Sequence, residues 1–285
     1  MRAVLAIVFA CAACSAFAAD GRASRFEIFT GDDSSLTRRI SDDLARRLAP
    51  LSEGEAPSGR KKLCIAIGPV ALRDAAARTP ACALLAAYTS SPVWRAVTAS
   101  LPPQAQSSAV YAEPSPSDQL QLVSLLYRRR VRVAAIVGPG TGYLRPALGE
   151  GAELYEFASG DDINRLLNRM SQAEVLLATP DSAVYTPENF RNILLSSYRH
   201  NQGVIGFSAD MVKAGALAST YSDIEDINAQ VAEVAATYLA SGVLAPPQFP
   251  RYFRTIINEA VARSLNVSAD STVRAFARRP AQAAR

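Results

Sequence analysis

His200 is the one histidine of the chain, so a Ser-His-Asp triad or a histidine-held metal would have to run through it. It follows a helical pattern and precedes Asn201-Gln202-Gly203, a turn composition. No G-x-S-x-G elbow, H-E-x-x-H helix or P-loop accompanies it, and a helix C-terminus favours a cation in any case. It reads as a surface residue, and neither catalysis nor a metal site is expected. A second candidate is the run Gly138-Pro139-Gly140-Thr141-Gly142. It follows a buried apolar strand, as a dinucleotide site requires, and Glu156 ends the next strand in the place of a ribose partner. The spacing is G-x-G-x-G, however, not G-x-G-x-x-G, and Pro139 lacks the backbone N–H that a pyrophosphate would take. A tight loop facing a ligand, with no cofactor, is the expectation.

The remaining chemistry lies in small polar loops, each after an apolar run. They are Thr30-Gly31-Asp32, Gly68-Pro69, Thr89-Ser90-Ser91, the glycine run with Gly138 and Thr141, Thr179-Pro180-Asp181, and Ser208. On two facing lobes, their hydroxyls, amides and one or two carboxylates would bind a small polar ligand. Taken singly, each loop is ordinary turn chemistry. Asp181 is the sharpest of them, a carboxylate directly after a buried strand, held by Pro180 at the strand end where ligands bind. Its alternative role is to cap the turn through its own backbone.

Strands and helices must carry those loops. Arg25-Phe26-Glu27-Ile28-Phe29 reads as a strand, and Leu36, Ile40, Leu44 and Leu48 recur every four residues as one helix face. The Cys64 strand, a helix over 70–77, the Cys82 strand, a helix from Pro92 and a strand at 108–111 follow. The segment 114–118 interrupts this βαβ series and starts a helix, with Ser115 as N-cap and Pro116 at the first helical position. A second series runs through strands at 131–137, 153–157, 174–178 and 204–207, separated by helices at 163–170 and from Thr186. A short strand and a long helix ended by Gly242 complete it. Strands alternating with helices give two α/β lobes, each a parallel sheet covered by helices. The division expected is 19–113 plus 214–243 for one lobe and 114–213 plus 244–270 for the other. From Ser271 the tail has no core pattern past Phe276 and is expected to fray.

Residues 1–18 form an export signal: Arg2, an apolar run, then Ser15-Ala16-Phe17-Ala18 in the A-x-A form that signal peptidase reads. The mature chain starts near Ala19, in the periplasm. The apolar run is shorter than the roughly 20 residues that span a bilayer; lipidation at Cys14 is the other reading of the segment. Cys64 and Cys82 are then the cysteines left. An oxidising compartment favours a disulfide between them, and two separate buried thiols are the alternative. The 30 basic and 26 acidic side chains give +4 with both signs scattered, which supports no nucleic-acid footprint. Even Arg128-Arg129-Arg130 has no interleaved aromatics and reads as a solvated surface.

The second half resembles the ABC-transporter substrate-binding family, whose members include aromatic amino-acid binders of the tryptophan-binding type. The stretches that carry this are Leu176-Leu177-Ala178-Thr179-Pro180-Asp181, then Gly215-Ala216-Leu217-Ala218-Ser219 with Tyr221 and Asp223, then Thr255-Ile256-Ile257-Asn258-Glu259-Ala260-Val261-Ala262-Arg263-Ser264-Leu265. The resemblance covers about 108 to 267. It implies a type I periplasmic-binding fold, two lobes joined by crossing segments and closing by hinge motion. It also implies that Pro180-Asp181 and the loop 89–91 face the cleft. The expected function is capture of a small ligand, such as an amino acid, by a monomer that docks on an ABC permease. A periplasmic sensor for a signalling receptor is the alternative, and an exported hydrolase the third reading.

Overall fold

The structure, a computed structural model, describes residues 25–53, 60–78 and 81–281. The expected signal 1–18, with Cys14 and the new terminus at Ala19, lies outside the described residues.

In the first lobe the chain runs β1 (Phe26–Thr30), α1 (Ser35–Ser52), β2 (Lys62–Ile67), α2 (Gly68–Ala76), β3 (Cys82–Thr89), α3 (Ser91–Thr98) and β4 (Ser107–Tyr111). The four strands are parallel and lie in the order β1-β2-β3-β4. They read as unbroken apolar runs because both faces are covered. Leu63, Ile65 and Leu85 pack with Leu44 and Leu48 of α1, while Ala66, Leu84 and Ala86 pack with Leu72 and Ala75 of α2. Leu36 departs from the expected face: it lies in the first turn of α1, ahead of the buried stretch, and is 58% exposed. Strand alternation puts Cys64 and Cys82 on the α2 face of neighbouring strands. Their Cα atoms are 5.9 Å apart, within the reach of a bridge, and the two are joined as a disulfide.

The second lobe runs α4 (Pro116–Tyr127), β5 (Val133–Val137), α5 (Arg145–Leu148), β6 (Glu153–Glu156), α6 (Ile163–Arg169), β7 (Val175–Leu177), α7 (Pro187–Arg199), β8 (Gly203–Ile205), α8 (Ala209–Lys213) and β9 (Ala218–Tyr221). After these come α9 (Ile224–Ser241), β10 (Arg254–Ile257), α10 (Glu259–Ser264) and α11 (Ser271–Arg274). Ser115 and Thr186 cap α4 and α7 as the sequence predicts, each with Pro next in line. The sheet order is β10-β9-β8-β7-β5-β6. All its pairs are parallel except β10 with β9, an antiparallel edge the sequence pattern does not announce.

Three segments cross between the lobes: 112–115, 222–223 and 242–253. On the second crossing the chain returns to the first lobe as α9, which buries Ile227, Val231, Val234 and Tyr238 beside α1. A capping box of Asp223 and Asp226 starts α9, and Gly242, at φ 78°, ends it. The sequence reading gives 214–243 to the first lobe, but β9 within that span hydrogen-bonds β8 and β10 of the second sheet. The tail also differs from expectation. Val273 is fully buried, and Phe253 and Arg278 exchange backbone hydrogen bonds of 2.8 and 3.0 Å, so the chain stays docked to Arg278.

Candidate functional site

The second sheet reverses its strand order at β5, whose neighbours β6 and β7 both follow it in the chain. In parallel α/β sheets the crevice at such a reversal, outside the strands' carboxyl ends, is where ligands bind. Here it is bounded by 138–141 after β5 and 178–181 after β7.

The two loops are stitched by Asp181, which is 2% exposed. Its Oδ2 accepts from Gly140 N at 2.9 Å and Thr141 Oγ1 at 3.0 Å, and its Oδ1 from Ala183 N at 3.0 Å. Gly138 N donates to Thr141 Oγ1 at 3.0 Å. The amides a phosphate would need are therefore committed to side chains of the protein, and Glu156 pairs with Arg145 at 2.7 Å. With three hydrogen bonds accepted from within its own lobe, Asp181 has the geometry of the turn cap. Gly138 is required by this closure: a Cβ there would stand 2.5 Å from Asp181 Oδ2 and 2.8 Å from Val184 Cγ2. Gly138→Ala is expected to cost about 1–3 kcal/mol, as overpacking does, measured by urea melts against the parent protein.

From the first lobe, a bulge at Tyr88 (φ 55°) sets the last turn of β3. The Tyr88 hydroxyl donates to Asn228 Oδ1 of α9 at 2.8 Å, and burial pushes its phenol well above the usual range. Beyond the bulge, Ser91 is fully buried at the start of α3. Its amide donates to both carboxylate oxygens of Glu113, at 3.0 and 3.1 Å, and its hydroxyl donates to Glu113 and accepts from Tyr143. Tyr143 belongs to the second lobe and Arg95 to the first; the guanidinium lies 4.4 Å above the Tyr143 ring. Burial pushes the Tyr143 hydroxyl up to about 12 and the Glu113 carboxyl above its ordinary range, against the opposing pull of the Ser91 hydrogen bonds. The lobes thus meet through Ser91, Arg95 and Tyr143. Behind this contact, near the second crossing, Arg254 of β10 holds Asp223 and, at 3.2 Å, Asp226.

Of the sequence candidates, Ser91, Gly138, Thr141, Pro180 and Asp181 converge on this region. Thr89 is buried with its hydroxyl on Ala87 O at 3.3 Å, and Ser90 precedes α3 without a side-chain cap bond. Ser208 caps α8, accepting from Met211 N at 3.3 Å. Thr30 and Gly31 stand exposed at the edge strand β1, with β2 between it and β3, and no hydrogen bond of the described residues joins them to the others. His200 ends α7 with Nδ1 2.9 Å from Ser196 O, a surface position. Sequence reasoning passed over Glu113, Tyr143, Phe207 and Phe249. Glu113 alone had a signal: a carboxylate between an apolar strand and Pro114.

A cavity opens beside Glu113 at the sheet reversal, walled by Leu144, Leu148, Thr179, Pro180, Phe207 and Phe249 among others. Phe249 stands edge-on to Tyr111, and Tyr111 to Trp94, with centroids 5.2 and 5.9 Å apart. Such a wall gives an apolar, aromatic pocket with one charged corner.

No protein-family model matches the sequence, and no curated protein sequence does. Solved structures do match. A ligand-free, open substrate-binding protein with adhesive properties from Clostridium difficile superposes with a TM-score of 0.61 at 15% identity, over 88% of this chain and 97% of that one. An ABC domain from Streptococcus pneumoniae in complex with L-Trp gives 0.56 at 16% identity, over the same shares. A conserved domain protein from Vibrio cholerae gives 0.52 at 16%, over 82% of this chain and 81% of that one. At these identities the likeness is one of architecture, and it agrees with two helix-flanked sheets joined by three crossings: the chain has the type I periplasmic-binding fold.

Proposed function

We propose that this chain is the solute-capturing component of an ABC import system. It takes a small ligand between its lobes, closes by hinge motion and offers the closed form to a membrane permease. The observation that carries the reading is the meeting of two strand-end surfaces, one from each lobe, at Ser91, Arg95 and Tyr143, beside a cavity at the sheet reversal. Three short crossings are the hinge such closure needs. In this reading residues 1–18 direct export to the periplasm, the mature protein is a monomer, and no helix among the described residues is long and apolar enough to cross a membrane. The lobes are 19–113 with 224–243, and 114–221 with 244–278. Reading the site as a hydrolase meets an obstacle, because the Ser91 hydroxyl is fully buried and engaged on both sides.

Small-angle scattering tests closure. A ligand found by thermal-stabilisation screening, which at about 100 times its dissociation constant adds roughly 2.7 kcal/mol, is expected to lower the radius of gyration. An unchanged profile with a ligand confirmed by calorimetry would remove hinge closure from the account.

A further inference from the structure

Among the described residues Glu113 has no counter-ion. Its carboxylate is 3% exposed, and among the described residues no Arg, Lys or His nitrogen lies within 4.0 Å of it. Its hydrogen bonds come from Ser91. The nearest cationic candidate on α3, Arg95, is turned to the Tyr143 ring instead. A buried carboxylate without a cation is costly, and the amide of Ser91 at the start of α3 offsets that cost only in part. Glu113 also lines the cavity at the sheet reversal, where it is the one ionisable residue in a wall that includes Phe207 and Phe249. A negative corner set in aromatic walls is the chemistry that recognises an ammonium group, through charge-assisted hydrogen bonding and through the ring faces. A carboxylic acid would meet like charge there.

Resting on the capture reading above, we propose that this cavity is an ammonium subsite: the ligand is a protonated amine with an apolar body, its nitrogen at Glu113 and its body against Phe207 and Phe249. In the conformation described, free space amounts to about 10 Å³ within a hollow of 310 Å³, room for one water. Entry of the amine therefore requires the lining to part.

Three probes share a phenyl body and differ in charge: phenethylamine, L-phenylalanine and 3-phenylpropionate. Calorimetry on the full mature protein is expected to show binding of phenethylamine and none of 3-phenylpropionate. Glu113→Gln, which keeps an acceptor for Ser91 and removes the charge, is expected to weaken phenethylamine at least tenfold while its melting temperature stays level or rises. Equal affinity of parent and variant for the amine would make Glu113 a cap for α3 and overturn the subsite. So would absence of amine binding to the parent, a result independent of how the variant folds. Binding of 3-phenylpropionate, accompanied by lobe closure, would overturn the ammonium subsite and leave the capture reading standing. L-Phenylalanine binding supports the proposal where Glu113→Gln weakens it equally, and counts against it where the variant binds it unchanged.

Discussion

Asp181→Ala is expected to lower stability by about 3–5 kcal/mol and to melt roughly 10 °C below the parent. The carboxylate is buried and accepts from Gly140 N, Thr141 Oγ1 and Ala183 N. Removing it breaks three hydrogen bonds to a charged group, each worth about 1.5–3 kcal/mol, and strands the buried Thr141 hydroxyl, while the amides of Gly140 and Ala183, both on exposed residues, can turn to water and keep the loss at the lower end of that sum. Asp181→Asn keeps an acceptor but turns an NH₂ toward one donor, so it should fall between parent and alanine. Thermal and urea melts without ligand check both. A variant that melts like the parent would return Asp181 to the ligand, the role the sequence resemblance implies for it.

Loss of the Cys64–Cys82 bridge should have the next largest effect. Closing a loop with a sequence separation of 18 stabilises by about 3 kcal/mol on the chain-entropy estimate. For a chain of this size that corresponds to roughly 6–12 °C. The double variant Cys64→Ala, Cys82→Ala should show this drop. Added reductant should lower the melting temperature of the parent and leave that of the variant unchanged. Parent protein from an oxidising compartment whose unfolded chain alkylates twice without reductant would show that the bridge is not formed there. The same experiment bears on export, since such bridges persist outside reducing cytosol.

Much of the architecture was legible because parallel strands covered on both faces are continuous apolar runs. Leu63 to Ile67 and Cys82 to Ala87 could hardly be anything else, and the Ser115, Thr186 and Gly242 caps marked helix ends by residue type alone. What escaped depended on contacts distant in sequence. β10 is an edge strand of half-buried residues, Arg254–Ile257, whose partner Ala218–Tyr221 lies across a whole helix of the other lobe. The Phe253–Arg278 docking likewise has no local pattern. At the site, the sequence singled out loops at strand ends, of which Ser91, Gly138, Thr141, Pro180 and Asp181 come together, yet side-chain roles were not readable from them. Asp181 has the residue type of a ligand group and the geometry of a cap. Glu113 and Tyr143 are 30 residues apart in sequence and meet only through Ser91. Thr30 and Gly31 were chosen by the same rule as Ser91, but β1 is placed at the edge of the sheet.

The return of α9 to the first lobe bears on the order in which the molecule can assemble. Ile227, Val231, Val234 and Tyr238 complete a core begun by Leu44, Leu63, Leu85 and Val110, so more than a hundred residues, from Val110 to Ile227, separate the halves of one hydrophobic cluster. During synthesis β1 to β4 therefore emerge with one face covered by α1 alone, and it stays incomplete until the second lobe has been made as far as β9. Long-range closure of this kind is slow and leaves apolar surface open meanwhile. On the export reading proposed above, such delayed completion of the first core would favour passage of the chain through a translocation channel before it folds.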